Sequence, residues 1–83
     1  MSKYTAKVEV KFKSGVLDPQ GETIKNALYN LDYNMVESVK TGKVFWIDLE
    51  SDSTSKALKT VNELTDKLLA NPIIEKFEVE IEK

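Results

Sequence analysis

The sequence predicts an α+β domain, and three observations carry the prediction. Stretches at both ends of the chain alternate apolar and polar residues with the period of a half-buried strand; two internal stretches repeat apolar residues at helical spacing; and the short segments between them hold cap and turn residues. In order along the chain these elements read β-α-β-β-α-β.

The first strand is "KYTAKVEVKF", with Tyr4, Ala6, Val8, Val10 and Phe12 on one face and Thr5, Lys7, Glu9 and Lys11 on the other. The first helix starts at Asp18-Pro19, since an Asp carboxylate satisfies orphan N–H groups and proline at the first helical position already has the helical φ. Its apolar stripe is Ile24, Ala27, Leu28 and Leu31, and "DYN" predicts its end near Leu31. "NMVESVKTGKVFWIDLE" reads as two strands joined by a tight turn at Thr41-Gly42, with Phe45, Ile47 and Leu49 sharing a face of the second.

"SDSTS" offers caps for a second helix whose stripe is Leu58, Val61, Leu64, Thr65 and Leu68. Asn71-Pro72 ends it, because Asn tolerates the left-handed conformation and proline cannot continue the helix. "EKFEVEIEK" is a last strand, alternating Phe77, Val79 and Ile81 with Lys76, Glu78, Glu80 and Glu82. Short connections and right-handed crossovers make this a ferredoxin-like plait: a four-stranded antiparallel sheet of order 4-1-3-2 with both helices on one face.

At 83 residues the chain predicts a single domain over 1–83, near the size at which one hydrophobic core is only just sufficient, so association is expected. It has no Cys, His or Arg: all 12 basic residues are Lys, and the net charge is −2. That inventory removes thiolate metal sites, the usual general base near neutral pH and the bidentate fork for phosphate or guanine. No apolar run reaches the length of a membrane span and the N-terminus has no signal core, so a cytoplasmic protein without membrane contact is expected.

Two surface features stand out. Val44 and Trp46, with Val39 or Met35 according to register, would form an apolar island on the open face of the sheet, which we read as an oligomer interface. "VLDPQG" places Gly21 in the first turn of a well-capped helix, where glycine is about 1 kcal/mol worse than alanine. Either Gly21 is merely tolerated there, or it keeps the turn bare so that another backbone, a phosphate or a partner side chain can approach.

The Glu78, Glu80, Glu82 run is a solvated strand face rather than an acid and base pair, which needs a pocket that separates two pKa values. No catalytic residue and no metal site is assigned. "TGKVFWIDL" loosely resembles an RNA-recognition strand, but the acidic balance and missing Arg oppose nucleic-acid binding. An acylphosphatase-like activity would need an Arg, and a stand-alone ligand-sensing regulatory plait is the alternative reading.

"GVLDPQGETIKNAL", "VESVKTGKVF" and "KLLANPIIEKFEVEIE" resemble, in order and spacing, the small PurS subunits of phosphoribosylformylglycinamidine (FGAM) synthase. Asp32 departs from a usual Gly and Thr65 from a common Cys. The resemblance implies a PurS-like fold and a non-catalytic assembly subunit of a glutamine-dependent ligase complex in purine biosynthesis. The chain would bridge the large synthetase subunit (PurL), which uses ATP and Mg2+, and the glutaminase subunit (PurQ), so that ammonia passes between them. The subunit itself would bind no cofactor and would self-associate as a dimer or tetramer. Asp18, Pro19, Gln20 and Gly21 would then present a low-profile helix start to a partner.

Overall fold

A computed structural model describes residues 1–82; Lys83, the end of the expected last strand, lies outside the described residues. The elements are β1 (Ser2–Phe12), α1 (Pro19–Asn30), β2 (Gly42–Ser51), α2 (Thr54–Leu64), a π-helical turn over Thr65–Leu69 and β3 (Glu75–Glu82). β1 is the centre of an antiparallel sheet of order β2-β1-β3, with Ala6 opposite Ile47 on one side and Ile81 on the other. No helix among the described residues is long and apolar enough to cross a membrane.

The alternation along β1 does what its period requires. Tyr4, Ala6, Val8 and Val10 are buried, while Thr5, Lys7 and Glu9 stand on the opposite face. α2 lies across the buried face and packs against all three strands, with Val61 completing the core and Phe45, Ile47, Leu49, Phe77, Val79 and Ile81 flanking it half-buried. Ser53 caps α2, its hydroxyl accepting from the Lys56 N–H at 3.1 Å.

The expected stripe of α2 needs correction. Its buried residues are Ala57, Val61 and Thr65, one above another at i, i+4 and i+8, whereas Leu68 is 82 % exposed. The π-helical turn is the reason: the Ala70 N–H donates to the Thr65 carbonyl at 2.9 Å, five residues back, and the wider turn rotates Leu68 off the sheet. Asn71 does not take a left-handed conformation; its side chain instead accepts from the Ile73 N–H at 3.1 Å and turns the chain toward β3.

The second correction is larger. Among the described residues the sheet has three strands, not four, and residues 34–41 form no strand. There is no turn at Thr41-Gly42: Gly42 is the first residue of β2, opposite Lys11, and its φ is not positive. α1 does not lie on the sheet either, making no substantial packing contact with any strand or with α2. Ile24 and Leu31 of its expected stripe are exposed, and Ala27 is too.

α1 and the returning segment instead form an arm that leaves the end of the sheet. An eleven-residue strand spans about 36 Å and a twelve-residue helix about 18 Å, and laid end to end they account for the 53 Å long axis. The radius of gyration is 16.6 Å, where a compact chain of this length has about 12 Å.

Candidate functional site

The root of the arm is held by a cluster of hydrogen bonds to one side chain. β1 ends at Phe12, and the chain turns through Gly15, at φ 83°, the left-handed conformation that glycine takes without a Cβ penalty. Asp18 then caps α1 as the sequence predicts, with one carboxylate oxygen accepting from the Gly21 N–H at 2.9 Å. The other oxygen accepts from the backbone N–H of Thr41 at 2.6 Å, and the Thr41 hydroxyl donates to the same carboxylate at 2.9 Å. One buried carboxylate thus fastens the start of α1 to the start of β2, across 23 positions of sequence.

The backbone N–H of Gly21 holds the Asp18 carboxyl below the usual carboxylate range, helped next by the N–H of Thr41. Asp18 is therefore ionised at neutral pH, and its lone pairs are committed within the chain.

Gly21 also finds its explanation here. It is buried, and a Cβ built on it would overlap the carbonyl oxygen of Val39 on the return segment. The backbone that approaches the bare helix start is the chain's own. Of the four motif residues, Asp18 and Gly21 face inward, while Pro19 and Gln20 remain exposed at the outer side of the helix start.

The far end of the arm closes with its own hydrogen bonds. The Tyr33 N–H donates to the Leu28 carbonyl at 2.9 Å and the Asp32 N–H to the Tyr29 carbonyl at 3.0 Å, the paired bonds of a Schellman cap with Asp32 in the left-handed position at φ 71°. The Tyr29 hydroxyl donates to the Val36 carbonyl at 2.7 Å, tying the helix to the return segment.

The open face of the sheet carries the expected island in part. Trp46 is 65 % exposed beside Lys7 and Val44 is exposed beside Glu9, while Val39 lies outside the sheet on the return segment. Lys7 and Glu9 pair at 3.4 Å next to them.

A cleft of about 550 Å³ sits between the sheet end and the arm, lined by Lys11, Lys13, Lys40, Lys76 and Asp18 among others. Lys11 and Lys76 are directly opposed across β1 and β3, a like-charge pair that makes this end of the molecule basic. Among the described residues no group of three or more Cys, His, Asp or Glu is arranged to hold a metal ion.

Sequence reasoning missed the exposed apolar surface of the arm at Leu17, Leu31 and Tyr33, and Met35, which it offered for the open face of the sheet, is exposed outside the sheet instead. It treated α1 as packed, and an amphipathic stripe says that a helix face is to be covered without saying by which chain.

The family model described as "PurS: Phosphoribosylformylglycinamidine (FGAM) synthase" matches residues 5–83. The chain is 44% identical over 80 residues to the phosphoribosylformylglycinamidine synthase subunit PurS of Methanocaldococcus jannaschii, covering 96% of both chains. It is 42% identical over 81 residues to the subunit of that name in Bacillus subtilis, covering 96% of this chain and 94% of that one. It also superimposes, with a TM-score of 0.87, on a chain of the structure of PurLQS from Thermotoga maritima, at 30% identity and covering 99% and 100% of the two chains.

Proposed function

Because the chain belongs to the PurS family of FGAM synthase subunits, we propose that it is the assembly subunit of such a ligase complex. It bridges the ATP-dependent large synthetase subunit and the glutaminase subunit. The observation that carries this reading is its whole-length likeness to a chain of the three-subunit structure from Thermotoga maritima. The fold reads accordingly: a long, thin molecule with an arm at one end offers a large surface for its size.

The chemistry is one of position. Ammonia released by glutamine hydrolysis is protonated in bulk water and then no longer nucleophilic, so the two catalytic sites must be held in register while it passes. This chain contributes interface free energy, with no His or Cys to serve as a glutaminase base or nucleophile. ATP and Mg2+ belong to the large subunit, this subunit binds no cofactor, and the complex works in the cytoplasm.

Two surfaces serve the assembly. The exposed Pro19 and Gln20, positioned by Asp18 and Gly21, meet a catalytic subunit. Val44 and Trp46, with Val39 from the return segment, meet a second copy of the chain, and residues 1–83 act as one unit in both contacts. The test is glutamine-dependent formation of FGAM by the two catalytic subunits with and without this chain. Activity that needs the chain supports the reading, and full glutamine-dependent activity in its absence overturns it.

A further inference from the structure

Four of the chain's 12 lysines meet at one place. Lys11 comes from the end of β1, Lys13 from the loop after it, Lys40 from the return segment and Lys76 from the start of β3. All four line the cleft of about 550 Å³ between the sheet end and the arm, and small-molecule pockets have volumes of roughly 300–1,000 Å³. The net charge of the chain is −2, so the cleft is charged against the average of the molecule.

These charges are not neutralised from within. Lys11 and Lys76 stand directly opposite each other on neighbouring strands, a placement that costs stability when both are charged. Glu9 reaches Lys11 only at 3.9 Å and lies nearer to Lys7, at 3.4 Å. Lys76 has no ion pair among the described residues. The Lys13 ammonium donates to the Pro72 carbonyl at 2.6 Å, which fixes its position without cancelling its charge. The one carboxylate among the described lining residues is Asp18, whose oxygens are already bound to Gly21 and Thr41. Four ammonium groups against one carboxylate leave three positive charges unmatched. Phe12 and Val16, both half-buried, add an apolar wall beside the lysines.

We propose that this cleft binds a small organic phosphate, with the phosphate among Lys11, Lys40 and Lys76 and the apolar body of the ligand against Phe12 and Val16. Without Arg the anion is held by point charges, so the site selects a compact, multiply charged group rather than a bidentate fit. A concave site with an apolar wall favours a small molecule over an acidic protein segment, for which lysines on a flat face would serve as well. The bound phosphate offsets the repulsion between Lys11 and Lys76. The inference does not depend on the assembly role, because none of the residues that hold the ligand is assigned to a partner contact.

The experiment titrates the 83-residue chain with phenyl phosphate, inorganic phosphate and tetraglutamate at one low ionic strength, following backbone amide chemical shifts. Phenyl phosphate should give saturable shifts confined to residues 11–16, 40–42 and 75–77. It should bind about tenfold tighter than inorganic phosphate, because its ring buries apolar surface that the inorganic ion lacks. Lys76→Gln should weaken binding about fivefold through the loss of one charge contact, and Lys40→Gln makes the same test if the first variant does not fold. Shifts spread over lysines outside the cleft, or an affinity unchanged in both variants, overturn the site. Equal affinity for the two phosphates overturns the apolar contact and with it the organic ligand. Tetraglutamate binding as tightly as phenyl phosphate overturns the small-molecule ligand in favour of an acidic protein segment.

Discussion

The backbone N–H of Thr41 donates to the Asp18 carboxylate at 2.6 Å, and this bond sets the direction in which α1 leaves the sheet. Most of what is testable about the molecule is arranged around it.

Replacing Thr41 by Val keeps the N–H and deletes the hydroxyl donor. The arm root should open about tenfold more often, seen as faster exchange of the Gly21 and Thr41 amides, because a hydrogen bond to an ionised group is among the stronger ones. The amides of β1 should be unchanged, since the arm makes no substantial packing contact with the sheet. Equal loss of protection in β1 would show that arm and sheet unfold as one unit.

The same carboxylate gives the arm a pH dependence. The Gly21 and Thr41 N–H groups lower the folded pKa of Asp18, so the clasp is at full strength above the unfolded value of about 3.9 and weakens as pH falls through the lower folded one. The Thr41 amide resonance should therefore be constant from neutral pH to about 5 and move only below the unfolded value. A midpoint above that value would contradict the assigned cause.

Gly21→Ala places a methyl group against the Val39 carbonyl. Overpacking of this kind costs about 1–3 kcal/mol, and neither partner is a flexible side chain that can yield. The return segment should separate from α1, with exchange at Thr41 rising while α2 and the sheet melt normally. An unaffected arm would show that the close approach is not needed.

Asp32→Gly should stabilise the tip of the arm by about 1 kcal/mol, because the left-handed conformation penalises a Cβ. Slower exchange of the Tyr33 amide, which closes the cap, is the readout.

In the core, the Thr65 hydroxyl is fully buried with no hydrogen-bond partner. Thr65→Val removes an unsatisfied polar atom at nearly constant shape and should raise stability by about 1 kcal/mol in a urea titration.

The sheet and the caps were legible because their causes are local. Strict alternation in β1 and β3, the cap candidates of "SDSTS" before α2 and Asp18-Pro19 before α1 act through neighbouring residues, and the structure has each of them, with Ser53 as the cap of α2. The fourth strand was not, although "NMVESV" has a strand's composition, because a strand exists only where an edge receives it. The Thr41–Asp18 bond that fastens the end of this segment to the start of α1 joins residues 23 positions apart, a pairing no periodicity announces. Leu68 was misplaced for a similar reason, since the π-helical turn after Leu64 shifts the register of everything beyond it. At the candidate site, the sequence marked Gly21 as unusual for its place, but which backbone approaches it could be seen only in the fold.

The most direct test of the assembly role is light-scattering chromatography of this chain mixed with the large synthetase and glutaminase subunits from the same source, in the presence of Mg2+, ADP and glutamine. The account predicts one peak containing all three subunits, which disperses when this chain is left out. Separate elution of this chain, with the other two unaffected by its omission, would contradict it.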